Sequence, residues 1–352
     1  MKKIIVFLCL SISLSHKIEA QEDEQIVMAT TVESTDAEEA YNAATALLEQ
    51  KKYKEAIAGF DKAIEHNPGF DKAYLNRAMA RMELKDYDNA VKDYDAAIEI
   101  TPGASAYFGR ARARHETNKT DEAMNDYAMA VEIDPMYAQA YYYRGGILFE
   151  KGNYDEAVSN YDMAIGSKSD YAYAYNDRAG CYRLLDKPDK ALNDYDKAVA
   201  LAPDNASFYG NRGSLKRRMN RPEDAVKDYD EALKKDPNNH ILLNNKALAE
   251  YDAGRYEDAV GNFTEALKIN PDYAFAYNNR GNAKYKLKDY EDAVRDYNKA
   301  LKIDPEYGYV YLNRGISKEM LRDNEGACAD WQKAFDAGVV SAETYLKNQC
   351  QQ

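Results

Sequence analysis

One pattern of 34 residues recurs along this chain, and it constrains the fold more than any other feature. Pro68, Pro102, Pro135, Pro203, Pro237, Pro271 and Pro305 fall at steps of 34 or 33, with one double step where Ser169 replaces a proline. A fixed period of this length marks a stack of small units, each resting on its neighbours. Such a stack grows by adding units, so 352 residues need not divide into ordinary globular domains. It builds an extended surface, not a closed pocket.

Setting the proline at position 32 divides the chain into nine repeats: 37–70, 71–103, 104–137, 138–171, 172–205, 206–239, 240–273, 274–307 and 308–341. Position 20 is alanine in every one, from Ala56 to Ala327, and so is position 27, from Ala63 to Ala334. Position 24 is always aromatic: Phe60, Tyr94, Tyr127, Tyr161, Tyr195, Tyr229, Phe263, Tyr297 and Trp331. Apolar residues at 20, 21, 24, 27 and 28 form one face of an α-helix. Position 8 is Gly or Ala throughout (Gly145, Gly213, Gly281, Gly315), which lets a second helix approach closely. Each unit therefore reads as two antiparallel helices, the second ended by the proline. Pro188 and Pro222 sit where second helices begin, and there a missing N–H costs little.

Small at 8, alanine at 20, aromatic at 24, alanine at 27 and proline at 32 together resemble the tetratricopeptide repeat family. The resemblance covers residues 37–341. It implies an all-α solenoid, a right-handed superhelix whose first helices line a concave groove. Position 4 is mostly tyrosine (Tyr74, Tyr107, Tyr141, Tyr175, Tyr209, Tyr277, Tyr311) where the family favours tryptophan, and position 7 is mostly arginine where it favours leucine.

That arginine varies together with an acid. Arg77, Arg110, Arg178, Arg212, Arg280 and Arg314 at position 7 accompany Asp93, Asp126, Asp194, Asp228, Asp296 and Asp330 at position 23, and Arg144 accompanies Asn160. Where the arginine is missing the aspartate is missing too: Ala43 goes with Gly59, and Lys246 with Asn262. The covariation predicts ion pairs joining the two helices of a repeat, with Arg77–Asp93, Arg212–Asp228, Arg280–Asp296 and Arg314–Asp330 as examples. The other reading is a row of cations that collects acidic ligands.

Position 6 carries Asn42, Asn76, Asn211, Asn245, Asn279 and Asn313, the last four in consecutive repeats. Asparagine offers both donors and acceptors. A row of amides at one-repeat spacing suits the backbone of an extended peptide. The repeat domain of O-linked N-acetylglucosamine transferases looks similar here, with an asparagine ladder along its inner groove. Gly109, Tyr143 and Asp177 interrupt the row, so two zones are expected: the ladder, and a tyrosine-lined zone around Tyr142, Tyr143 and Tyr173. The competing reading has these asparagines bonding neighbouring helices.

The chain ends carry further expectations. Lys2 and Lys3, the apolar run Ile4–Leu14 and Ala20 read as a secretory signal over 1–20, too short to span a bilayer. An acidic leader follows over 21–36, where Thr35 and Glu38 have capping-box spacing. Residues 342–352 read as a terminal cap and tail. Export, to periplasm or medium, permits a disulfide, and an antiparallel arrangement would bring Cys328 to Cys350 and leave Cys181 free. Removing the signal takes the net charge from −13 to −15. This argues against nucleic acid, whose affinity comes from cations meeting phosphates. No later run is long and apolar enough to cross a membrane.

Nothing in the sequence reads as catalytic. His66, His115 and His240 lie in different repeats, and neither metal-ligand spacing nor a phosphate-binding loop occurs. No metal and no cofactor are expected. The expected function is a non-enzymatic scaffold that binds a peptide or protein surface. The alternative is an assembly subunit of a cell-envelope complex.

Overall fold

The structure, a computed structural model, describes residues 35–350. The expected signal and nearly all of the expected leader lie outside the described residues. Within them the chain is helical throughout, with no strand. It divides into two units, one up to Ile147 and one from Leu148 onward. The first contains α1 (Asp36–Glu49), α2 (Tyr53–His66), α3 (Asp71–Glu83), α4 (Tyr87–Ile100), α5 (Ala104–Glu116), α6 (Thr120–Ile133) and most of α7 (Ala138–Glu150). The second contains α8 (Tyr154–Ser167), α9 (Ala172–Leu184), α10 (Pro188–Leu201), α11 (Ala206–Arg218), α12 (Pro222–Lys235), α13 (His240–Asp252) and α14 (Tyr256–Ile269). It continues through α15 (Ala274–Lys286), α16 (Tyr290–Ile303), α17 (Gly308–Met320), α18 (Asn324–Asp336) and α19 (Ala342–Gln349).

Inside each unit a helix packs mainly against the next helix in the chain, and the first helices of successive repeats also touch. This is the neighbour-on-neighbour contact of an α-solenoid. The position-24 ring is the centre of every layer. Tyr297, for example, is buried with Ala293, Ala300 and Val310. The small residue at position 8 makes room for it: a Cβ on Gly281 would lie 2.6 Å from the Tyr297 ring, and one on Gly315 would lie 2.5 Å from the Trp331 indole.

The turn inside each repeat reverses the chain through one residue with positive φ. Gly152 and Gly254 take it without cost, but Lys51, Lys85, Asn118, Asp186, Asn220, Lys288 and Arg322 adopt it as well. Two backbone bonds close the turn, as where Lys288 N–H donates to Tyr285 C=O at 3.0 Å and Asp289 N–H to Lys284 C=O at 2.9 Å. Between repeats, the residue before the proline accepts a bond two residues on: Asn67 from Gly69 N–H at 3.0 Å, and Asp304 from Glu306 N–H at 3.1 Å. This explains the recurring Asp or Asn before the proline.

Both ends are finished. Thr35 and Glu38 form a capping box on α1. At the other end α19 lays Tyr345 flat on Trp331, ring centroids 5.0 Å apart. A Cys328–Cys350 disulfide of 2.03 Å ties α19 down, and Cys181 is a free, buried thiol.

Candidate functional site

The charged residues come first because they hold the helices that carry everything else. Each position-23 aspartate is buried on the second helix and accepts a two-pronged bond from the position-7 arginine of its own repeat. In the Arg212–Asp228 pair, Nη2 and Nε donate at 2.7 and 3.0 Å. Arg77–Asp93, Arg280–Asp296 and Arg314–Asp330 have the same geometry.

Two further partners were not foreseen from the sequence. Position 11, one turn after the arginine, supplies a second cation to the same carboxylate: Arg81 to Asp93, Lys216 to Asp228, Lys284 to Asp296 and Lys318 to Asp330. The arginine's remaining nitrogen reaches position 25 of the preceding repeat, where Arg77 meets Asp61 and Arg212 meets Asp196. The guanidinium also lies over the position-4 tyrosine, 5.5 Å from the ring centroid for Arg212 over Tyr209. One arginine thus joins two helices of its own repeat to the repeat before it. Among the described residues Arg77 and Arg212 are engaged with carboxylates of their own repeat and of the repeat before it.

The repeat at 240–273 solves the same problem with the charges exchanged. Its position 11 is Glu250, buried, which accepts from Asn262 Nδ2 at 2.7 Å, while Lys246 pairs with Asp230 of the preceding repeat at 2.7 Å. The acid has moved from the second helix to the first. Burial pushes the Glu250 carboxyl pKa above its ordinary value, against the opposing pull of Asn262 and Lys246. A native acid with a raised pKa contributes stability below its unfolded value near 4.5, and that contribution is lost as pH rises through the native value. Glu250→Gln keeps the acceptor and removes the buried charge. The variant should therefore melt as high as the parent, or higher, at pH 7, and gain less than the parent on acidification from pH 7 to 4.5. Paired thermal melts across that range check it; a loss of several degrees at pH 7 sinks the argument.

The asparagines obey a simple rule: position 5 of one repeat decides what position 6 of the next repeat does. Asn313 Nδ2 donates to Asn278 Oδ1 at 3.1 Å, Asn279 to Asn244 at 3.3 Å, and Asn211 to Asn176 at 3.0 Å. Asn278 and Asn244 in turn donate to Asn279 and Asn245. The result is a run of amides across the first helices of the second unit, half-buried and held in place. Each neutral bond of this kind contributes on the order of 1 kcal/mol. Asn245 departs from the pattern because position 5 of the preceding repeat is Gly210. Its Oδ1 accepts from Asn244, and its Nδ2 has no intramolecular acceptor among the described residues. A side chain on Gly210 would press on Leu242.

The first unit treats its asparagines differently. Asn76 is fully buried and donates to the Tyr41 hydroxyl at 3.0 Å, so it is removed from any binding surface. Asn42 is exposed. Gly109 is occupied from the other side by Tyr94, whose ring would meet an added Cβ at 2.3 Å.

Tyr142 and Tyr143 belong to the first unit and Tyr173 to the second. Tyr142 is buried, and Tyr143 packs against Phe108 and stacks on Tyr127. Tyr173 stands at position 2 of its repeat, edge-on to Phe208, and its hydroxyl accepts from Asn205. Position 2 is one helical turn before position 6, and it holds a row that the sequence reading passed over. Ile241, Phe275 and Tyr309 are about 40% exposed. Rings in the preceding turns extend the row: Phe275 lies 5.2 Å from Tyr307 and 6.0 Å from Tyr273. The signal was available, since apolar residues at a solvent-facing helical position recur in three consecutive repeats.

Tetratricopeptide repeat models match residues 41–105, 138–171, 172–205, 211–274 and 274–307, and a TPR repeat model matches 111–148. The chain belongs to the tetratricopeptide repeat family. No curated protein matches it. Among solved structures, a tetratricopeptide repeat protein from Parabacteroides merdae is similar at 20% identity and TM-score 0.55, covering 69% of this chain and 97% of that one. The Cut9–Hcn1 hetero-tetramer of the APC/C is similar at 14% identity and TM-score 0.55, covering 89% and 76%. PilW, a type IV pilus biogenesis factor, is similar at 21% identity and TM-score 0.52, covering 56% and 91%. At these identities the likeness is one of fold.

Proposed function

We propose that this tetratricopeptide repeat protein is a non-enzymatic scaffold that holds an extended peptide against the first helices of its second unit. The observation that carries the reading is the run of preorganised amides, Asn211, Asn245, Asn279 and Asn313. Asn211, Asn279 and Asn313 are already ordered by neighbours one repeat away and Asn245 by Asn244 beside it, so a peptide backbone that bonds to them does not have to order them on arrival. Each still has hydrogen-bonding capacity beyond its internal bond. A peptide held by its backbone is recognised with little regard to its side chains, as suits a scaffold. The disulfide and the expected signal support placing the protein in an oxidising compartment, outside the cytosol.

The test is selection of binders from a displayed random-peptide library on the full chain, followed by titration of the selected peptides against Asn245→Ala/Asn279→Ala. Loss of two neutral hydrogen bonds predicts affinity about 10- to 30-fold weaker. Unchanged affinity in a variant with wild-type circular dichroism overturns the reading. A failure to select any peptide, with one stoichiometric protein partner recovered instead, points to the assembly-subunit alternative.

A further inference from the structure

The amide row and the apolar row lie on the same face, one turn apart in each repeat: Ile241 with Asn245, Phe275 with Asn279, Tyr309 with Asn313. The bonds Asn279–Asn244 and Asn313–Asn278 put adjacent first helices in side-chain contact. Helices packed this closely have axes about 10 Å apart. A β-strand advances roughly 3.3 Å per residue and a polyproline-II helix roughly 3.1 Å, so either covers one repeat with about three residues.

The two conformations differ in where the third residue points. In a β-strand, residues three apart face opposite sides. In polyproline II three residues complete one turn, so every third side chain returns to the same side. A surface that offers the same pair of side chains at every repeat fits the second case. A polyproline-II backbone also makes no internal hydrogen bonds, so its carbonyls remain open to amide donors such as Asn245 Nδ2.

Charge narrows the occupant further. Asp272 and Glu306 are exposed in the turns that lead into α15 and α17, three residues before Phe275 and Tyr309. The chain as a whole carries −13. We propose that this face takes a basic polyproline-II peptide, with an apolar side chain at every third residue and lysine or arginine flanking them. The inference rests on the peptide-scaffold reading above and names the class of peptide.

The experiment uses the full chain and three labelled synthetic peptides, read by fluorescence anisotropy. The first has three Pro-Pro-Leu triplets between paired lysines. The second carries the same number of leucines and lysines with leucine at alternate positions and no proline. The third repeats the first with glutamates in place of the lysines. The first should bind at least about tenfold tighter than either of the others, and Phe275→Ala should weaken it by about tenfold or more, the effect of losing a large apolar contact. Phe275 is exposed enough for that variant to fold, and Tyr309→Ala provides a second check. Equal binding of the alternating peptide overturns the polyproline-II inference while leaving the scaffold reading intact. Equal binding of the glutamate peptide overturns the charge assignment. If none of the three binds and library selection also returns nothing, both proposals fall together.

Discussion

Asp228→Ala should destabilise the protein by about 3–5 kcal/mol, the usual cost of removing one partner from a buried ion pair. Asp228 is 3% exposed, and it neutralises Arg212 and Lys216, whose side chains are themselves largely covered. Without it two cations remain in a partly buried layer with only Asp196, at the exposed rim, to answer them. The pair as a whole adds less than this loss suggests, because burying both charges has its own penalty. Its contribution is register: a two-pronged bond between two helices, extended to the preceding repeat, admits one relative placement of all three. Asp196→Ala removes the exposed partner of the same arginine and should cost no more than about 1 kcal/mol. Thermal or urea melts of the two variants check the contrast. Equal losses would mean that burial of the acceptor is not what sets the effect.

How much of this was legible in the sequence depends on how far apart the deciding residues lie. Ala225, Tyr229 and Ala232 could be placed in the core from one helix alone, since their spacing is the helical period. Arg212 could be paired with Asp228 because both vary together, within one repeat, across nine internal copies. The amide rule was hidden because it acts between repeats and between columns. Asn76 and Asn279 occupy the same column, yet Asn76 is buried because position 5 one repeat earlier is Tyr41, while Asn279 is half-exposed because that residue is Asn244. Position 5 holds Leu75, Phe108, Asn244 and Leu312 in different repeats, so the column shows no pattern of its own. Reading position 6 alone therefore placed Asn76 in the groove with the four-residue ladder Asn211, Asn245, Asn279 and Asn313, where the structure turns Asn76 inward. The exchange at Glu250 was half visible: the loss of arginine and aspartate stood out, but the acid's move to position 11 required seeing which side chains meet.

Reducing the Cys328–Cys350 disulfide should release the end of the stack and change the emission of the only tryptophan. The bond closes a segment with a sequence separation of 22. By chain-entropy reasoning a loop of this size contributes about 3 kcal/mol. The helix it holds, α19, has eight residues, far too few to persist unaided in water. Its apolar contacts are few: Ala342 buried, Tyr345 stacked on Trp331, Leu346 beside them. Without the cross-link these contacts must order the segment by themselves, and the end of the core, Trp331 with Val339 and Leu312, loses its cover. Trp331 is 1% exposed in the folded chain, so release should shift its fluorescence to the red and lower the melting temperature. Cys328→Ser/Cys350→Ser should reproduce both effects with no reductant present. Thiol counting gives an internal control. Burial pushes the Cys181 thiol pKa up to about 12, so in a chain made without residues 1–20, and thus without Cys9, only the two released thiols should react quickly under native conditions, and Cys181 only on unfolding. Unchanged emission and melting after two thiols have been titrated would show that packing, and not the disulfide, holds the cap.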